Sequence, residues 1–115
     1  MPTYAALTYY TGDADWTDAS NAEQLADYGA FGASAEAVIR GGAALFPTTT
    51  ATTVHVTGGK GGEVVTSDGP YAEAKEVLGG FYLLECENLD EAVRWAAQIP
   101  AAWNGKVEVR PVIPM

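Results

Sequence analysis

Asp68, Tyr71, Glu73, Lys75 and Glu76 fall within one short polar stretch of the chain, its densest group of side chains able to move a proton or hold a charge. A carboxylate such as Asp68 acts as a general base once burial tunes its pKa, and a lysine such as Lys75 holds an anionic group. Tyr71, Lys75 and Glu76 are therefore candidate ligand contacts, with Arg110 placing a substrate from the last strand. His55 stands between Val54 and Val56, so on a strand it projects from the face opposite to theirs. In a cleft it would be a proton shuttle.

Each of these residues also has a structural reading. Asp before Gly69-Pro70 suits a turn, because its carboxylate bonds backbone N–H groups ahead while Pro fixes the next dihedral. Asp68 could equally cap a short helical turn through Ala72 to Val77, with Glu73 and Glu76 near its positive end. Lys75 would then pair with either glutamate on the surface. His55 would be an ordinary strand histidine at an edge or interface. Trp16, Trp95 and Trp103 line a pocket or, more commonly, fill core and interface.

Composition narrows the chemistry. The chain has 115 residues, and its formal net charge of −9 repels phosphate backbones. No nucleic-acid partner is expected, and with no apolar run near the ~20 residues of a membrane span, no membrane either. The start Met1-Pro2-Thr3-Tyr4 lacks a basic and then apolar leader, so a cytoplasmic location is expected. Cys86 is the single cysteine and His55 the single histidine, which excludes an intrachain disulfide and a thiolate or multi-histidine metal site within one protomer. Asp13, Asp15 and Asp18 alternate around Trp16 but lack the later ligands of a calcium loop; a solvated loop is expected. Gly58-Gly59-Lys60-Gly61-Gly62 lacks the setting and ending of a phosphate cradle. No metal and no cofactor are expected.

These residues need a scaffold. Thr3 to Tyr10 reads as a strand. Ser20-Asn21-Ala22-Glu23 resembles a capping box, followed by an apolar stripe at Leu25, Tyr28, Gly32, Ala35 and Ile39. That predicts an amphipathic helix ending at Gly41-Gly42, with an irregular segment over Ala43 to Thr50. Ala51 to Thr57 and Glu63 to Thr66 form a hairpin around the glycine cluster. Gly80 to Glu87 is a strand with apolar residues on both faces, hence central. Asn88 caps a second helix with an apolar stripe of Leu89, Val93, Ala96 and Ala97, ended by Pro100. Val107 to Ile113 closes the domain, which spans residues 1–115.

The order predicts an α+β fold, a βαββ(β)αβ plait with both helices on one face of an antiparallel sheet. The other face, to which Tyr4, Tyr10, Val54, Tyr82 and Val109 could contribute, then needs a partner. A homodimer packed through the sheet face is expected.

Asp68-Gly69-Pro70-Tyr71-Ala72-Glu73-Ala74-Lys75-Glu76, followed by Leu78-Gly79-Gly80-Phe81-Tyr82-Leu83, closely resembles the signature of the DGPF branch of YCII-related proteins. Thr50-Ala51-Thr52-Thr53-Val54 resembles a further strand of that branch, Asp90-Glu91-Ala92 with Trp95-Ala96 and Pro100 its second helix, and Val107 to Val112 its closing strand. The resemblance implies a ferredoxin-like protomer dimerising into an α/β barrel. It also implies a largely undefined activity and a link to extracytoplasmic-function sigma factors. The His–Asp pair of some relatives has no counterpart on the first helix here. Tyr71 stands in place of the branch's phenylalanine and Ala74 in place of its threonine. Three functions follow: a small-molecule-binding dimer with its pocket between the sheet and the Ser67–Glu76 loop; a cofactor-free enzyme on a small polar or aromatic compound, with Asp68 or His55 moving the proton; and a regulatory partner of a sigma factor.

Overall fold

A computed structural model describes residues 1–71 and 75–115. Alternation of apolar and small residues builds β1 (Thr3–Thr11), which pairs antiparallel with β5 (Glu76–Glu85) on one side and β6 (Lys106–Pro111) on the other. β2 (Ile39–Ala44) pairs antiparallel with β5, giving a four-stranded sheet of order β2-β5-β1-β6. Strand β5 is thus interior, as its two apolar faces require. The hairpin of β3 (Thr52–Thr57) and β4 (Glu63–Asp68) forms a separate two-stranded sheet. The connectivity is a split βαβ plait with this hairpin inserted before β5. Among the described residues no helix is long and apolar enough to cross a membrane.

One strand of the sheet departs from the sequence expectation. Helix α1 spans Ala22–Ser34 and stops well before Gly41-Gly42, which lie inside β2. Gly42 serves close approach between strands. A Cβ on Gly42 would stand 2.5 Å from the Phe81 carbonyl oxygen, and its φ of +152° is one that L side chains rarely adopt. A glycine pair after a helical pattern looks like a helix stop; here it belongs to the neighbouring strand.

The start of α1 also differs. The Asp18 carboxylate, not the Ser20 hydroxyl, accepts the Ser20 backbone N–H at 2.9 Å and caps a 3-10 turn over Ala19–Asn21 that leads into the helix. The acidic loop is a set of local caps. Asp15 accepts from the Thr17 N–H and hydroxyl at 2.9 and 2.6 Å. Asp13 reaches across the chain to accept from the Thr48 N–H and hydroxyl at 2.9 and 2.6 Å, tying the end of β1 to the segment after β2.

Helix α2 (Leu89–Ala96) begins as its sequence predicts, with the Asn88 side chain accepting the Glu91 N–H at 2.9 Å. Glu91 in turn accepts the Glu87 N–H at 2.9 Å. Its buried residues are Ala92 and Ala96, whereas Leu89 and Val93 are half exposed. The small alanines allow close packing onto the core, which rotates the expected stripe outward. A short α3 (Ala101–Asn104) follows Pro100.

The core lies between the helices and one sheet face, and holds Tyr4, Ala6, Phe31, Ala35, Leu84, Cys86, Ala92 and Ile99, with Tyr10, Tyr82 and Val109 packed against it. Tyr4, Tyr10, Tyr82 and Val109 therefore face the helices, and Val54 lies in the hairpin; none forms the opposite sheet face. Register assigns that face to Ala5 and Leu7 of β1, opposite Leu83 and Phe81 of β5 and Arg110 and Glu108 of β6. Gly41 and Ala43 of β2 continue it across Leu83 and Phe81. Cys86 is a buried free thiol whose pKa burial pushes up, consistent with a small core hydrophobe.

Candidate functional site

A cavity of about 230 Å³ opens between the first half of α1 and the sheet. Its walls are rings: Tyr10 from β1, Trp16 from the acidic loop, Tyr28 from α1 and Tyr82 from β5. The small residues Gly42, Ala44, Gly79 and Gly80 lie on the β2–β5 side, and Thr8 on β1. Each position follows from local structure. Thr8 and Tyr10 are alternate residues of β1 and so share the helix-facing side. Tyr28 lies three residues before the buried Phe31 on the same stripe.

Trp16 is placed by its neighbours. The carboxylates of Asp15 and Asp18 cap the turns on either side, and the indole meets Tyr10 edge-on at 5.7 Å and Tyr28 at 5.5 Å between ring centres. Phe31 meets Tyr82 edge-on at 5.1 Å behind them. Such edge-to-face arrangements fix ring orientation. The result is a slot with aromatic sides.

Burial governs the electrostatics. It raises the pKa of Tyr10 well above the ordinary phenol range, with repulsion from Tyr82 adding to the effect, and it raises that of Tyr82 too. Both phenols stay protonated and available as donors. The Tyr28 hydroxyl is buried with no hydrogen-bond partner among the described residues. An unpaired buried hydroxyl is destabilising, and native structures leave few of them.

These shifts give a pH dependence. Because the folded state favours the neutral phenols, their contribution to stability is fully present below about pH 10, the ordinary tyrosine value, and is lost as pH rises through the raised folded values. Titration of the six tyrosines by phenolate absorbance is expected to leave Tyr10 and Tyr82 un-ionised until the protein unfolds. Reversible ionisation of all six near pH 10, with the fold intact, would contradict the burial described.

The sequence-predicted residues lie elsewhere. Asp68 ends β4, opposite Thr52, and is exposed. The turn beyond it is held by backbone: the Gly69 N–H donates to Ala51 at 2.7 Å, and the Thr53 hydroxyl donates to the Gly69 carbonyl at 2.8 Å. Tyr71 is almost fully exposed, and Lys75 is exposed. Glu76 opens β5 and accepts from the Lys106 ammonium at 2.8 Å. The helical turn proposed through Val77 does not extend that far, since Glu76 and Val77 belong to β5; Ala72, Glu73 and Ala74 lie outside the described residues. His55 is exposed on β3 opposite Val65, and Arg110 is exposed beside Glu108 at 3.9 Å. No described residue of the Ser67–Glu76 loop lines the cavity. Of the tryptophans, Trp16 lines it, Trp95 packs on the core and Trp103 is exposed.

The model of the YCII-related domain matches residues 3–115. An uncharacterized protein of Rhizobium meliloti (strain 1021) is 46% identical over 72 residues, covering 61% of this chain and 56% of that protein. The chain thus spans little more than half the length of that relative. Among solved structures, the 5-chloro-2-hydroxyhydroquinone dehydrochlorinase of Burkholderia phenoliruptrix AC1100, in complex with 2,5-dihydroxybenzoquinone, is similar over 94% of this chain and 90% of that one, with a TM-score of 0.48 and 16% identity.

Proposed function

The chain belongs to the YCII-related domain family, and on that premise we propose that it is a small-molecule-binding homodimer whose ligand enters the aromatic cavity beneath α1. The observation that carries the reading is the cavity itself, a slot of about 230 Å³ walled by Tyr10, Trp16, Tyr28 and Tyr82. Concave, mostly apolar sites with a few placed polar groups are where small ligands bind. The Asp68-Gly69-Pro70-Tyr71 sequence supports assignment to the DGPF branch. In the dimer, Ala5, Leu7, Phe81 and Leu83 of one copy pack on the same residues of the other, closing two sheets into an α/β barrel. An apolar sheet face that no helix of its own chain covers favours such a contact.

The reading is tested by filling the slot. Ala44 shares its sheet side with Gly80 and Thr8, so Ala44→Phe would project its ring into the cavity. Ligand-observed NMR against one- and two-ring compounds is expected to show binding that Ala44→Phe weakens by about tenfold or more, roughly the 1.4 kcal/mol of a lost favourable contact, with the melting temperature kept. Asp68→Asn and His55→Ala are expected to leave that affinity unchanged. An enzyme working through Asp68 or His55 would instead lose turnover in those variants. Near-equal co-purification with a sigma factor, with no binding in the slot, would favour the regulatory role.

A further inference from the structure

We propose that the cavity selects neutral, planar one- or two-ring compounds bearing a carbonyl-type hydrogen-bond acceptor, with the Tyr10 and Tyr82 hydroxyls as donors, and that it rejects the corresponding anions. The inference rests on the binding function proposed above and names the class of molecule that function takes.

Size sets the first limit. An apolar cavity of about 150 Å³ takes benzene, and drug-sized sites begin near 300 Å³. A space of about 230 Å³ therefore suits one substituted ring or two fused rings. Shape sets the second. The side walls are aromatic faces and edges, and the β2–β5 side carries no bulk because Gly79, Gly80 and Gly42 have no side chain. A Cβ on Gly79 would stand 2.7 Å from two atoms of the Tyr10 ring. The Tyr10 ring thus lies directly on the bare Gly79 backbone, so ring and strand present flat walls to the cavity, which suit a flat molecule better than a branched one.

Charge sets the third. The described lining residues include no lysine, arginine or histidine to neutralise an anion, and the whole chain carries a formal charge of −9. An environment that keeps the phenols of Tyr10 and Tyr82 from ionising also disfavours a negative charge on a molecule beside them. Polarity sets the fourth. A phenol held neutral always retains a hydrogen to donate, and Tyr10 and Tyr82 both line the cavity. A carbonyl oxygen on the guest would accept it.

Three bicyclic probes of similar size separate these terms: chromone, neutral with a carbonyl; naphthalene, neutral without an acceptor; and 1-naphthoate, an anion. Affinities for the full chain are measured by isothermal titration and ligand-observed NMR, alongside Tyr10→Phe, Tyr82→Phe and Ala44→Phe. Chromone is expected to bind about tenfold more tightly than naphthalene, as a buried hydrogen bond predicts, and 1-naphthoate to bind more weakly than both. The Tyr→Phe changes are expected to erase most of the chromone advantage while leaving naphthalene unaffected. If naphthalene or 1-naphthoate binds as tightly as chromone and Ala44→Phe still blocks it, the ligand class is wrong but the binding cavity stands. If no probe binds, or Ala44→Phe changes nothing, both fall.

Discussion

In the homodimer proposed above, Leu83→Glu is expected to yield a monomer with a mass near 12.0 kDa while preserving its fold. Leu83 lies opposite Ala5 on one neighbouring strand and Gly41 on the other, near the middle of the sheet face that the helices leave open. Its side chain points away from the core, which Leu84 enters from the next position, so the change removes no core packing. In an isologous contact the substitution enters twice across one two-fold axis. Two carboxylates would then be desolvated without partners, a cost of at least about 3 kcal/mol, or roughly a hundredfold or more in the dissociation constant. Sedimentation equilibrium reads the outcome, and circular dichroism checks the fold. Arg110→Ala at the rim of the same face is a milder control, since exposed charges contribute little. A wild-type protein that is already monomeric, or a Leu83→Glu variant that still dimerises, would remove the barrel.

The same face shows what sequence reasoning reached and where it stopped. That two helices shield one side of an antiparallel sheet followed from element order alone. Which residues point to the open side did not, because β1 and β5 carry large apolar residues on both faces: Tyr4 and Leu7, Leu84 and Leu83. Alternation gives two sets without saying which one the helices cover. Helix α2 misled for a related reason. Leu89 and Val93 are its largest aliphatic residues, yet the buried contact is made by Ala92 and Ala96, with Trp95 packed beside them, since small residues let a helix approach closely. Strand β2 was hidden because Gly41-Gly42 normally punctuates, whereas here the tight pairing with β5 requires the glycine at position 42.

The cavity was harder still to read. Its residues come from five separate elements, spaced from Thr8 to Tyr82, and each alone looks like core. The charged loop drew attention because its groups are adjacent in sequence; adjacency in the chain put Asp68, Tyr71, Lys75 and Glu76 on an exposed surface, not around a hollow. One signal did exist. Trp16 sits in a stretch otherwise made of Asp, Thr, Ser, Gly and Ala, and a large ring in such a loop must find apolar company, which it does on Tyr10 and Tyr28.

The adjacent glycines Gly79 and Gly80 should separate site from scaffold. Pairing between β1 and β5 jumps from Thr8–Gly80 to Tyr9–Leu78, so Gly79 is the extra residue of a bulge. Its carbonyl accepts the Leu45 N–H at 2.9 Å. A methyl group on it would meet only the Tyr10 ring at 2.7 Å, and a ring beside a cavity can swing into the empty space. Gly79→Ala is therefore expected to cost about 1 kcal/mol or less but to fill part of the slot with the Tyr10 ring and weaken aromatic ligands by about tenfold. On Gly80 the methyl would stand 2.6 Å from the Ala43 carbonyl oxygen and 3.2 Å from the Ala44 Cα. Those are backbone atoms of β2, and they can yield only by opening the edge of the sheet. Gly80→Ala is expected to cost about 1–3 kcal/mol, lowering the melting temperature by roughly 4 °C or more for a domain of this size. Urea unfolding and ligand titration on the pair distinguish the roles. Equal destabilisation by both, with unchanged binding in Gly79→Ala, would mean that Tyr10 is fixed by the fold and does not border the ligand.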